Sequence, residues 1–177
     1  LDTALERFTP AGVVANSQGS DHWHFYEWSK NLSGRIENTP CIKPQGHSLD
    51  AVYNLLLINA LRAAVKLGQL QDDNRSVSYH KAQKRIANAF HKTFWDHKRQ
   101  LYASFKQRNK LSCYDQFTQS LAINESVTPS ALQTRQLRKQ LACNTDLAPA
   151  EFPSKLFVYQ ALLSGTNQYA EHVLADI

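Results

Sequence analysis

Apolar residues at helical spacing from Leu49 to Leu67 constrain this chain more than any other feature. Leu49, Val52, Tyr53, Leu56, Ala60, Ala63, Ala64 and Leu67 recur at steps of three and four. Leu55, Leu57, Ile58 and Leu61 fill much of the remaining circumference, so burial on most sides is expected. Ser48 is placed to cap this helix, Asp50 suits its first turn and Gly68 ends it. Asn54 and Asn59 interrupt the apolar surface and must find hydrogen-bond partners. After the polar turn Gln71-Asp72-Asp73-Asn74, the pattern predicts a second helix over 76–93. Val77, Tyr79, Ala82, Ile86, Ala89, Phe90 and Phe94 form its inner face, with Lys81, Lys84, Arg85 and Lys92 outside. Two long helices joined by so short a turn make an antiparallel αα-hairpin.

The rest of the chain reads the same way. A helix end is predicted over 1–8, stopped by Thr9-Pro10-Ala11-Gly12. Further helices are predicted over 112–124, 129–142 (Thr128 as cap, Pro129 in the first turn), 154–163, and beyond a capping Thr166. Trp95 to Tyr102 reads as a tight turn between short extended pieces, and no other strand is expected. The class is all-α, with helical content near two thirds.

Between 12 and 46 there is no helical period. Loops of that length inside a domain are usually functional or disordered, and the aromatic density argues against disorder. Asp21-His22-Trp23-His24-Phe25-Tyr26-Glu27-Trp28 packs rings and imidazoles between two acids. Such a stretch can lay rings against the apolar face of a small molecule while carboxylates hold its polar edge. The plainer reading is that Trp23, Phe25 and Trp28 plug one end of a helical core.

Composition narrows the partners. Hydrophobic residues make up 42% of the 177 residues, enough for a globular core. No run is read as long enough to span a membrane, so no membrane partner is expected. The net charge is +5, and much of the basic excess is spread along residues 81–110, without stacking aromatics or a nucleic-acid-binding signature. It reads as a solvated helix face and a basic hairpin, and no nucleic acid is expected. Cys41, Cys113 and Cys143 are isolated, which reads as free thiols in a reducing cytoplasm. No His-acid spacing marks a metal site, and neither metal nor other cofactor is expected. The chain contains no Met and reads as a piece of a longer product.

Several motifs, taken in order, resemble bacterial α-L-rhamnosidase-type glycoside hydrolases. They are Trp23-His24-Phe25-Tyr26-Glu27-Trp28, Tyr53-Asn54-Leu55-Leu56-Leu57-Ile58-Asn59-Ala60-Leu61, and Trp95-Asp96 followed by Leu101-Tyr102. Tyr114-Asp115-Gln116-Phe117-Thr118-Gln119-Ser120-Leu121-Ala122 and Phe152-Pro153-Ser154-Lys155-Leu156-Phe157-Val158-Tyr159-Gln160 complete the series. The resemblance covers nearly the whole chain. It implies a six-hairpin (α/α)6 barrel, of which 1–177 would form one helical domain, about half the toroid and its middle part. It also implies that the helix at Tyr114–Ala122 faces the pocket, and that the parent cleaves terminal α-L-rhamnosyl or similar sugars. Hydrolysis of a glycoside needs two flanking carboxyl groups. The motifs that carry them in such enzymes have no counterpart here, so no catalytic residue is assigned. Asp21, Trp23, His24, Glu27 and Trp28 are the expected sugar contacts, carbohydrate is the expected partner, and a homo-oligomer or the remainder of the parent would cover the open edges. A non-catalytic helical module binding carbohydrate or protein is the alternative.

Overall fold

The computed structural model describes residues 1–16, 25–27, 29, 32 and 48–177. Of these, 56% are helical. The helices are α1 (Asp2–Leu5), α2 (Ala51–Leu70), α3 (Arg75–Phe94), α4 (Gln116–Asn124), α5 (Ala131–Cys143), α6 (Phe152–Leu163) and α7 (Ala170–Asp176). They form antiparallel hairpins in two layers. In one layer α4 lies between α2 and α6; in the other, α3 backs α2, α5 backs α4 and α6, and α7 backs α6.

The α2–α3 hairpin has the largest interface, because both helices carry stripes that only mutual burial can hide. Val52, Leu55, Ile58 and Leu61 of α2 are 0–1% exposed, as are Ile86, Phe90 and Phe94 of α3. Each is worth about 1.5–3 kcal/mol of transfer free energy when taken from water. Val77 does not belong to this face; it lies near the start of α3 and is exposed. The expectation that α2 is buried nearly all round is also corrected: Leu56, Leu67 and Leu70 face out. By length and composition alone α2 could cross a membrane, contrary to the sequence reading, although core helices meet the same test. Gly12, at φ +86°, lets the chain pass so close to α3 that a Cβ there would sit 2.9 Å from the Ala89 Cβ.

Strands are more numerous than expected. Trp95–Asp96 (β2) pairs with Leu101–Tyr102 (β3), as predicted. A three-stranded sheet of Leu49–Asp50 (β1), Phe105–Gln107 (β4) and Lys110–Ser112 (β5) was not anticipated. Its strands are two or three residues long, too short to show alternation. Helix starts also shift: α5 begins at Ala131, with Ser130 rather than Thr128 as cap, accepting the Gln133 N–H at 3.2 Å. The hydroxyl of Thr166 accepts the Gln168 N–H, and α7 starts later, at Ala170.

The free-thiol expectation fails at Cys113, which is disulfide-bonded, and holds at Cys143, which is free and exposed. Cys41 lies outside the described residues. The argument for a reducing compartment therefore loses its support at Cys113. Maleimide labelling of the denatured, unreduced protein is expected to modify Cys143 and spare Cys113. Mass mapping that finds Cys113 modified before reduction would exclude the bond.

Candidate functional site

The helices of the first layer begin at one end, and each is preceded by an acid: Asp50 before α2, Asp115 before α4, Glu151 before α6. Carboxylates suit these positions because helix N-termini present unpaired N–H groups and a partial positive charge. Cross-links hold the three ends together. Ser104 accepts the Ala51 N–H with its carbonyl at 2.8 Å, and its hydroxyl donates to Asp115 in a short hydrogen bond. Asp115 also accepts the Thr118 N–H at 2.6 Å. Gln116 accepts the Ala150 N–H at 3.1 Å.

Tyr26, Glu27, Ser29 and Leu32 add further contacts at this end. Tyr26 N–H donates to Leu32 O, Leu32 N–H donates to Ser29 O, and Leu32 is wholly buried. The Tyr26 hydroxyl donates to Asp50 at 3.0 Å, at the start of α2. Asn16 donates to both Tyr26 and Asp50, and Ser48 to the other Asp50 oxygen at 2.8 Å. Glu27, next in sequence, is 4% exposed and accepts the Glu151 N–H at 3.2 Å, at the start of α6.

Burial sets the electrostatics here. It pushes the Glu27 carboxyl above its usual range; Ser154, the Glu151 N–H and Ser29 oppose this, while the charge of Asp115 adds to it. Asp115, wholly buried, is pushed up by the same desolvation, against its bonds from Ser104 and Thr118. Burial, reinforced by Asp50, raises the Tyr26 phenol. A paired, fully buried Asp115 cannot touch a substrate, so its role is to hold α4. Among the described residues, no group of three or more His, Cys, Asp or Glu is gathered to hold a metal.

Of the expected sugar contacts, Glu27 is placed at this helix-end junction. Asp21, Trp23, His24 and Trp28 lie outside the described residues. The expectation that α4 turns polar side chains toward a pocket is corrected. Thr118, Gln119 and Ser120 are fully buried and satisfied internally. Gln119 accepts the Tyr102 N–H at 2.9 Å and donates to Tyr102 O at 2.8 Å; Ser120 donates to Phe117 O. Asn54 and Asn59 find the partners they needed. Asn54 exchanges bonds of 2.8 and 2.9 Å with the Val14 backbone, and Asn59 donates to Glu125 at 2.7 Å. The sequence reading missed Asp50, Asp115 and Glu151 as a set. The available signal was an acid immediately before each of three apolar helices.

An open groove of about 1090 Å³ runs past the end of α4 and along α6. Its polar residues are largely paired, with Glu125 held by Arg62 at 2.8 Å and Arg138 bonded to Ala161 O and Ser164. It shares no residue with the helix-end junction.

Residues 27–149, more than half of the chain, match the family model described as amylo-alpha-1,6-glucosidase. The chain belongs to the amylo-alpha-1,6-glucosidase family. The match begins at Glu27 and ends just before Ala150, so it takes in α2 to α5 and both short sheets. Two solved structures share the fold of this family member. The GH78 family rhamnosidase of Bacillus sp. GL1 superposes with a TM-score of 0.80 at 18% identity, over 99% of this chain and 17% of that one. The rhamnosidase from Klebsiella oxytoca with rhamnose bound gives 0.69 at 21% identity, over 99% and 30%. The hairpins thus share the fold of rhamnosidase helical barrel domains, and the chain spans less than a third of either rhamnosidase. No curated protein sequence matched.

Proposed function

We propose that this chain is the middle part of a six-hairpin glycoside hydrolase of α-L-rhamnosidase type, whose parent releases terminal α-L-rhamnosyl or similar residues. The chain supplies helices and a sugar-contacting stretch, with Asp21, Trp23, His24 and Trp28 as the proposed sugar contacts and Glu27 as the acid of that stretch seated at the start of α6. The observation that supports this reading is the seat of residues 25–27 across the N-terminal ends of α2 and α6. Backbone and carboxylate groups converge there next to an aromatic-rich sequence. The fold shared with two rhamnosidases supports the sugar class. The family match favours a second reading, an α-1,6-linked glucosyl substrate.

Calorimetric titration with L-rhamnose and with isomaltose separates the two. The first reading expects millimolar binding of L-rhamnose that weakens at least about tenfold in Trp28→Ala, the loss of one stacking ring. Binding of isomaltose alone would establish the second, and binding of neither sugar would remove both. Since no acid–base pair is assigned within this chain, no turnover of an aryl α-L-rhamnoside is expected from it. Turnover abolished by Asp21→Asn or Glu27→Gln would place the catalytic site here after all.

A further inference from the structure

We propose that Tyr26 and Glu27 form a two-point clamp, in which Glu27 is a positioning residue that fixes the start of α6 relative to the start of α2. The two side chains are adjacent in sequence yet reach different helices. Tyr26 donates to Asp50 before α2, and Glu27 accepts from Glu151 before α6, with α4 between those helices. Glu27 is the side-chain acceptor that meets the Glu151 N–H, across 124 residues of sequence. The Ser154 and Ser29 hydroxyls stand beside the same carboxylate, so the side chain is fixed at the start of α6 from more than one side. Burying a carboxylate costs stability even when it is hydrogen-bonded, which a residue serving packing alone would not need. The compensation is geometric: one short segment sets the spacing of two helix ends. For the sugar-contacting role, this rests on the reading above, because the clamp would hold the stretch that meets the sugar.

Amide hydrogen exchange tests the clamp without reference to any sugar. In Glu27→Ala, the amides of Glu151, Tyr26 and Leu32 are expected to exchange about tenfold faster or more, while α2 and α3 keep their protection. Glu27→Gln, which keeps an acceptor oxygen, is expected to restore protection at Glu151. Unchanged exchange at Glu151 in Glu27→Ala would overturn the clamp, and so would equal acceleration throughout α2 and α3. If Glu27→Ala does not fold, the wild type decides. A Glu151 amide exchanging as fast as an unstructured peptide overturns the proposal, and a protected one supports it. L-rhamnose titration of Glu27→Gln and Glu27→Ala then reads the functional consequence. If the wild type binds no L-rhamnose, the sugar reading fails while the exchange result stands on its own.

Discussion

Phe90→Ala is expected to destabilise the protein by about 3–5 kcal/mol, a large share of the total for a domain of this size. Phe90 is wholly buried at the centre of an aromatic cluster. Its ring lies 4.9 Å from Phe94 and 5.2 Å from Tyr102, and Tyr102 packs 4.8 Å from Trp95. Tyr102 also bonds His91 Nδ1 at 2.9 Å and sits in β3, so the cluster ties the end of α3 to the β2–β3 turn. Truncation removes the apolar transfer term and leaves a cavity that a backbone fixed on both sides cannot collapse into. Urea denaturation followed by circular dichroism measures the loss. Phe152→Ala is the control: Phe152 is 90% exposed, and a change within about 0.5 kcal/mol is expected. A Phe90→Ala loss under about 1 kcal/mol would mean that the cluster is not a packed core.

Asp115→Ala is expected to cost about 2–5 kcal/mol, from a lost helix cap of about 1 kcal/mol and buried donors left without an acceptor at about 1–3 kcal/mol each. The stranded groups are the Thr118 N–H and the Ser104 hydroxyl, both fully buried. Ser104 has a fallback in Thr118 Oγ1 at 2.9 Å, which holds the estimate below the full sum. Asp115→Asn keeps an oxygen for Thr118 and removes the buried charge, so it should be milder. The pH dependence has a definite sign. Desolvation raises the Asp115 carboxyl above its reference value of 3.8, so the folded state holds this proton more tightly than the unfolded chain. Its contribution is fully present below 3.8 and is lost as pH rises through the folded value. Asp115→Asn, which cannot ionise, should therefore gain on the wild type as pH goes from about 4 to about 7. Urea midpoints across that range check it; a wild type that gains on Asp115→Asn with rising pH would show Asp115 stabilised as the anion.

The uncovered face of α6 supports a weaker expectation. Phe152, Leu156 and Leu163 are exposed at helical spacing, and Leu56 of α2 is exposed as well. Apolar surface of this kind favours association at roughly 25 cal/mol per Å². Light scattering at rising concentration is expected to show self-association, as proposed for the open edges of a half-barrel.

The helices and their order were determined by the sequence itself, because apolar periodicity and helix-stop residues act within a few positions. Val52, Leu55, Ile58 and Leu61 declare a buried stripe wherever they are placed. The Trp95–Tyr102 turn was legible for the same local reason: Asp96 accepts the N–H groups of Lys98 and Arg99 within three residues. Local pattern could not say what a polar side chain would meet. Thr118, Gln119 and Ser120 read as a pocket-facing surface, and only the approach of Tyr102 and Ser104 turned them into core. The β1–β4–β5 sheet and the gathering of Asp50, Asp115 and Glu151 at one end likewise depend on distant segments meeting. The tertiary structure decided the role of Glu27. A carboxylate in an aromatic stretch reads equally as a ligand contact or an anchor, and its partner lies 124 residues away, where no periodicity reaches.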